Sequence, residues 1–211
     1  EMFKQLFPGQ KAIIIADENT WKVAGEDAQK SLDEAGVDSC EAFVFESEDF
    51  YAEWKHVERL KAHLEDLDAV AVAVGSGVIN DTVKYVSYLL GRRYMCVGTA
   101  ASMDGFTAYG SSITKDGNKQ TFDCPAPLGF VLDSAIAAQA PKELAASGYA
   151  DLIAKIPAGA DWMIADAVGS EKIDEFAWGL VQDSLKDALS DPAAILAGDV
   201  EKTQALADGL L

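Results

Sequence analysis

Positive charge is what this chain has least of. Seventeen lysines and arginines stand against 35 aspartates and glutamates, and the formal net charge is −18 at pH 7. No basic cluster interrupts that background, so nucleic acid and anionic membrane surfaces are repelled rather than bound. Histidine is nearly absent. His56 and His63 lie on one predicted helix, two turns apart, too far to share a metal ion without further ligands. Both read as partly exposed helix residues. Cys40, Cys96 and Cys124 are few, odd in number and widely spaced, which excludes a CxxC pair, a zinc-type cluster and a disulfide framework. Cys96 falls in a predicted strand and reads as a small buried hydrophobe. The expected compartment is the reducing cytoplasm. No apolar run is long enough to cross a bilayer, and the acidic, amphipathic first residues do not resemble a signal peptide. A chain that begins at Glu1 rather than Met is compatible with an upstream portion.

What is present is an ordinary globular composition, 49% hydrophobic and 25% charged, over 211 residues, enough for one large domain or two small ones. The informative stretch is Ala69 to Asp104. Ala69–Val74 is an unbroken run of small and β-branched residues, the pattern of a strand buried on both faces. A tight Gly75-Ser76-Gly77 turn follows. Ile79, Val83, Val86 and Leu90 then recur at helical spacing until Gly91. Tyr94–Val97 reads as the next strand and runs into a polar loop, Thr99 to Gly105. Strand, turn, helix, strand and loop make a βαβ unit whose two loops share the sheet edge where ligands bind in open α/β folds. Glycines admit close approach of the backbone to a phosphate, and the first amides of the following helix lack internal partners. Asp81 and Lys84 sit in that helix's first turns. The same turn is also what any tight strand–helix connection looks like.

Upstream, Lys11–Ala16 is a first strand ending at Asp17. That carboxylate could take hydrogen bonds from a ribose or cap the helix predicted over Trp21–Ala35. Glu41–Phe45 is a second short strand and Tyr51–Leu64 a second helix. The glycine turn therefore follows the third strand, and the third glycine of a standard GxGxxG fingerprint is missing, so a dinucleotide site here is built differently from the standard pattern. Beyond the loop, Gly110–Thr114 and Lys119–Phe122 flank an Asp-Gly turn and predict a β-hairpin. After Asp133 the sequence is Ala-rich and punctuated helix. The expectation is an α/β fold: a Rossmann-like parallel-sheet domain over residues 1–129, then an all-helical domain from 130 to 211.

Three segments carry a family resemblance: GSGVINDTVKY from Gly75, VGTAASMDGFTAYGSSI from Val97, and VLDSAIAAQAPKELAASGYADLIAKIPAGADW from Val131. Together with the rest of the chain they resemble the glycerol-1-phosphate dehydrogenases, the bacterial branch above all, within the iron-containing alcohol dehydrogenase and dehydroquinate synthase-like superfamily. The resemblance implies reduction of dihydroxyacetone phosphate to sn-glycerol 1-phosphate with NAD or NADP and a divalent metal (Zn, Ni or Fe) in a cleft between the two domains, in phospholipid metabolism. The partners it implies are a phosphorylated triose or polyol and further copies of the same chain, with no nucleic acid and no membrane. Carried over by position, Asp17, Gly75, Ser76, Gly77, Asn80, Asp81, Thr99, Ala100, Ala101 and Ser102 would contact the cofactor. Asp104 and Asp133 would be catalytic and touch substrate, and Asp133 would be a metal ligand. The chain departs from the family at Ala108, where a cofactor-contacting serine is usual. The family's two metal-binding histidines fall later in the helical domain, and neither His56 nor His63 matches them. The chain, ending at Leu211, is therefore expected to be cut short, with an incomplete helical domain and weak metal binding at most. Alternatives are a glycerol dehydrogenase-like polyol oxidoreductase and a non-catalytic nucleotide-binding fragment.

Overall fold

The computed structural model describes residues 1–183 and 185–211. They pack as two compact units, one of residues 1–99 with 105–136, the other of residues 100–104 with 137–211. The break drawn from sequence after residue 129 falls at the start of a strand; the division into units comes seven residues later.

The first unit is built on five parallel strands. β1 (Ala12–Asp17), β2 (Phe43–Phe45), β3 (Val70–Gly75), β4 (Met95–Gly98) and β7 (Gly129–Leu132) lie in the order β2-β1-β3-β4-β7. Ala12 to Ala16 and all of β3 are buried, because helices cover both faces of the sheet and leave no polar side for an alternating pattern. The order reverses between β1 and β3, and that is the switch point at which such sheets take ligands beyond their carboxyl ends.

A short α1 (Met2–Leu6) precedes β1. After β1 and α2 (Glu18–Thr20), the helix predicted over Trp21–Ala35 forms in two pieces, a π-helical turn at Trp21–Gly25 and α3 (Glu26–Glu34). A side chain at Gly25 would lie 2.6 Å from the Trp21 ring, which is why the wide turn ends on glycine. α4 (Trp54–Leu64) buries Val57, Leu60 and Leu64, and α5 (Gly77–Leu89) links β3 to β4. The hairpin β5 (Ser111–Lys115) and β6 (Asn118–Phe122) turns at Asp116-Gly117, both at positive φ. Its Phe122 packs on Trp54 and Tyr85.

The second unit is helical: α7 (Lys142–Ile153), α8 (Lys155–Ala167), α9 (Glu175–Gln182), α10 (Leu185–Ala188), α11 (Pro192–Leu196) and α12 (Val200–Leu210), after α6 (Ser134–Ala137), which spans the division. Leu152, Leu185, Ile195, Leu206 and Leu210 form its interior. Asp174, Asp191 and Asp199 each start a helix by accepting a first-turn backbone N–H.

Candidate functional site

The carboxyl edge of the sheet gathers the expected residues of the first unit. Asp17 ends β1, Gly75 ends β3, Thr99 follows β4, and Asp133 follows β7. Gly75 pairs with Gly98, and Gly98 pairs with Leu132, so the three chain ends are level. The Thr99 amide donates to the Gly75 carbonyl at 3.2 Å, which ties the glycine turn to the polar loop.

At the turn, Ser76 is the N-cap of α5 but makes no side-chain cap hydrogen bond. The helical ladder begins with the Asn80 amide donating to the Ser76 carbonyl at 3.1 Å. The amides of Gly77, Val78 and Ile79 therefore have no acceptor within the helix, and the positive end of the helix dipole lies beside them. Asn80 is fully buried. Its Oδ1 accepts from the Tyr94 hydroxyl at 2.9 Å, while its Nδ2 is a buried donor with no partner. An uncapped helix start with an orphaned donor one turn in fits the pyrophosphate of a dinucleotide.

Asp17 differs. Its Oδ1 accepts from the Asn19 and Thr20 amides and from the Ser47 hydroxyl, and the Thr20 hydroxyl oxygen accepts from the Asp17 amide. Of the two uses the sequence left open, helix capping is the one formed.

Asp81 and Lys84 do not face the glycine turn. The Asp81 carboxylate accepts from the Ser112 amide at 3.4 Å, and its carbonyl accepts from the Ser111 hydroxyl at 2.7 Å, both from β5. Lys84 is 1% exposed. Its ammonium donates to the carbonyls of Gly105, Ala108 and Gly110, at 2.8, 2.9 and 3.1 Å. Burial pushes the Asp81 carboxyl up to about 6, against the opposing pull of Lys84, and pushes the Lys84 ammonium down.

Asp104 belongs to the helical unit. Its amide donates to the Asp151 carboxylate at 2.8 Å, and its own carboxylate is paired with the Lys155 ammonium. Ala100, Ala101 and Ser102 are buried in the same unit. Gly148 is what allows this, since a Cβ there would sit 2.0 Å from the Ala101 carbonyl oxygen. Asp151 and Lys155 were not singled out from sequence. The contacts span 47 and 51 residues, and the one local signal was an acid and a lysine four apart near the α7–α8 junction. Asp133 is exposed, and its Oδ1 accepts from the Ala135 amide at 2.8 Å, a local cap.

A metal fares worse than a dinucleotide. Among the described residues, no three His, Cys, Asp or Glu side chains come together. His56 and His63 lie on α4 against Phe45 and Phe43. Since a catalytic site of the zinc type takes about three protein ligands, these residues do not complete one. No helix among the described residues is long and apolar enough to cross a membrane.

Comparison with known proteins agrees with this frame. Residues 1–141 match the family model described as iron-containing alcohol dehydrogenase. The glycerol-1-phosphate dehydrogenase (NAD(P)+) of Bacillus velezensis is 30% identical over 94% of this chain and 51% of its own length. That of Methanocorpusculum labreanum is 34% identical over 80% of this chain and 45% of its own. The chain thus spans about half the length of the curated relatives it matches. In fold it resembles the crystal structure of glycerol dehydrogenase from Schizosaccharomyces pombe, with a TM-score of 0.75 and 20% identity, over 99% of this chain and 56% of the other. The chain belongs to the iron-containing alcohol dehydrogenase family.

Proposed function

We propose that the protein carrying this chain is a cytoplasmic, homo-oligomeric NAD(P)-dependent dehydrogenase that reduces dihydroxyacetone phosphate to sn-glycerol 1-phosphate. The observation that carries the cofactor half is the uncapped start of α5 at the switch point of the sheet, with the Gly77–Ile79 amides unspent. The relatives named glycerol-1-phosphate dehydrogenase (NAD(P)+) support the substrate half.

A bound nicotinamide would supply the hydride to the C2 carbonyl carbon, and a proton from solvent on the carbonyl oxygen completes the alcohol. The chain's own residues bind and orient. The α5 amides hold the pyrophosphate, with Gly75 and Gly77 keeping the backbone close. Thr99, Ala100, Ala101 and Ser102 line the loop that follows β4. Asp104 accepts from substrate hydroxyls and fixes the triose for attack. For a divalent ion we assign Asp151 rather than Asp133 as a ligand, because Asp151 shares a hydrogen bond with the Asp104 backbone and Asp133 is spent on a local cap.

The test is NADH and NADPH oxidation by the intact gene product with dihydroxyacetone phosphate, with Zn²⁺ or Ni²⁺ added. Turnover is expected, lost in Asp104→Asn and Asp151→Asn and largely kept in Asp133→Asn. Turnover of dihydroxyacetone in preference to its phosphate would move the assignment to a glycerol dehydrogenase. Loss in Asp133→Asn with activity retained in Asp151→Asn would return the role to Asp133.

A further inference from the structure

Lys155 is the cation that pairs with Asp104, and the sequence reading did not single it out. The geometry points to Lys155 as the residue that makes this site select a phosphorylated substrate over its unphosphorylated counterpart. The inference rests on the reading of Asp104 as a substrate contact.

Asp104 and Asp151 bring two acidic residues together, the Asp151 carboxylate accepting from the Asp104 amide at 2.8 Å. They belong to a chain of net charge −18. A neutral polyol can approach such a pair and donate its hydroxyls. A phosphate monoester brings roughly −1.5 to −2 charges at neutral pH, and nearby carboxylates repel it. Something cationic must offset them. The Lys155 ammonium already touches the Asp104 carboxylate. The pair is not sealed, with side-chain exposures of 26% and 38% for lysine and aspartate, so a ligand can reach both. The Lys155 backbone is anchored, its carbonyl accepting from Gln182 Nε2 of α9 at 3.1 Å. A fixed backbone with a long, flexible arm suits a compact ammonium that moves between two anionic partners. Without ligand it neutralises Asp104. With a phosphorylated triose it turns to the phosphate and leaves the Asp104 oxygens to accept the substrate hydroxyls.

The experiment measures kcat and KM of the full-length protein for dihydroxyacetone phosphate and for dihydroxyacetone in wild type, Lys155→Met and Lys155→Arg. The ratio of the two kcat/KM values should fall roughly 10- to 100-fold in Lys155→Met, mostly through KM for the phosphate, the scale of one hydrogen bond to a charged group. Lys155→Arg should keep most of the preference, since it keeps the charge. Equal losses on both substrates would mean that Lys155 merely holds Asp104, and would overturn the inference, as would an unchanged ratio. If wild type turns over neither substrate, the dehydrogenase reading fails separately. Calorimetric titration with sn-glycerol 1-phosphate and with glycerol then decides: tighter binding of the phosphate by wild type, lost in Lys155→Met, supports the role of Lys155. Absent binding, or binding unchanged by the substitution, overturns it. Melting curves confirm that each variant is folded.

Discussion

Lys84 and Asp81 show how a charge that looks like a ligand contact in the sequence can be structural. An ammonium at 1% exposure survives because three carbonyls, from Gly105, Ala108 and Gly110, replace its water. Asp81, one turn earlier on α5, is only partly compensated by the Ser112 amide. Burial raises its carboxyl from 3.8 to about 6, so the folded chain holds that proton more tightly than the unfolded chain does. Its contribution to stability is greatest below about pH 4 and is lost as the pH climbs through 6. Asp81→Asn keeps an oxygen for the Ser112 amide and removes the charge. It should raise stability at neutral pH by roughly 1–3 kcal/mol and flatten the dependence between about pH 4 and 6. Urea unfolding at both pH values checks this; an equally steep decline in the variant would refute it.

At the scale of elements, two helix starts on the same sheet edge are treated oppositely. α2 is capped by Asp17 and Thr20 in reciprocal bonds, whereas α5 opens behind a serine that makes no cap bond. Only the second has amides to offer a ligand. α7 is constrained at its middle rather than its end. Gly148 faces the Ala101 carbonyl oxygen so closely that an added methyl would lie 2.0 Å away, against backbone that cannot rotate aside. Gly148→Ala should therefore destabilise the chain by roughly 1–3 kcal/mol, even though alanine is the better helix former. The shift in urea midpoint reads it, and a neutral or stabilising effect would mean that the loop yields freely.

For the whole molecule, charge outweighs any single contact. Salt bridges such as Lys11–Asp38 and Lys172–Asp166 are exposed, while the chain carries a surplus of 18 negative charges. Self-repulsion of that size opposes compaction at neutral pH and is screened by salt. The melting temperature should rise between about 0.05 and 0.5 M NaCl, by a few degrees, the response of a screened surface field. A Tm that falls or stays flat over that range would show that paired charges, not the surplus, dominate.

The sequence by itself determined the α/β class, the strands read at Lys11–Ala16 and Ala69–Val74, which form one residue later as Ala12–Asp17 and Val70–Gly75, the glycine turn at the head of α5 and the helical second half, because each follows from periodicity, β-branching or glycine within a dozen residues. The hairpin around Asp116-Gly117 was legible for the same reason. Family resemblance found the polar loop from Thr99 to Asp104. Only the tertiary structure decided where side chains are spent. It turned Lys84 and Asp81 to the hairpin and its preceding loop, closed Asp17 and Asp133 into caps, and brought Asp151 and Lys155 to Asp104 across 47 and 51 residues. Local pattern fixes which way a backbone runs; which charges meet is set by packing between distant segments, and no spacing in the chain encodes that distance.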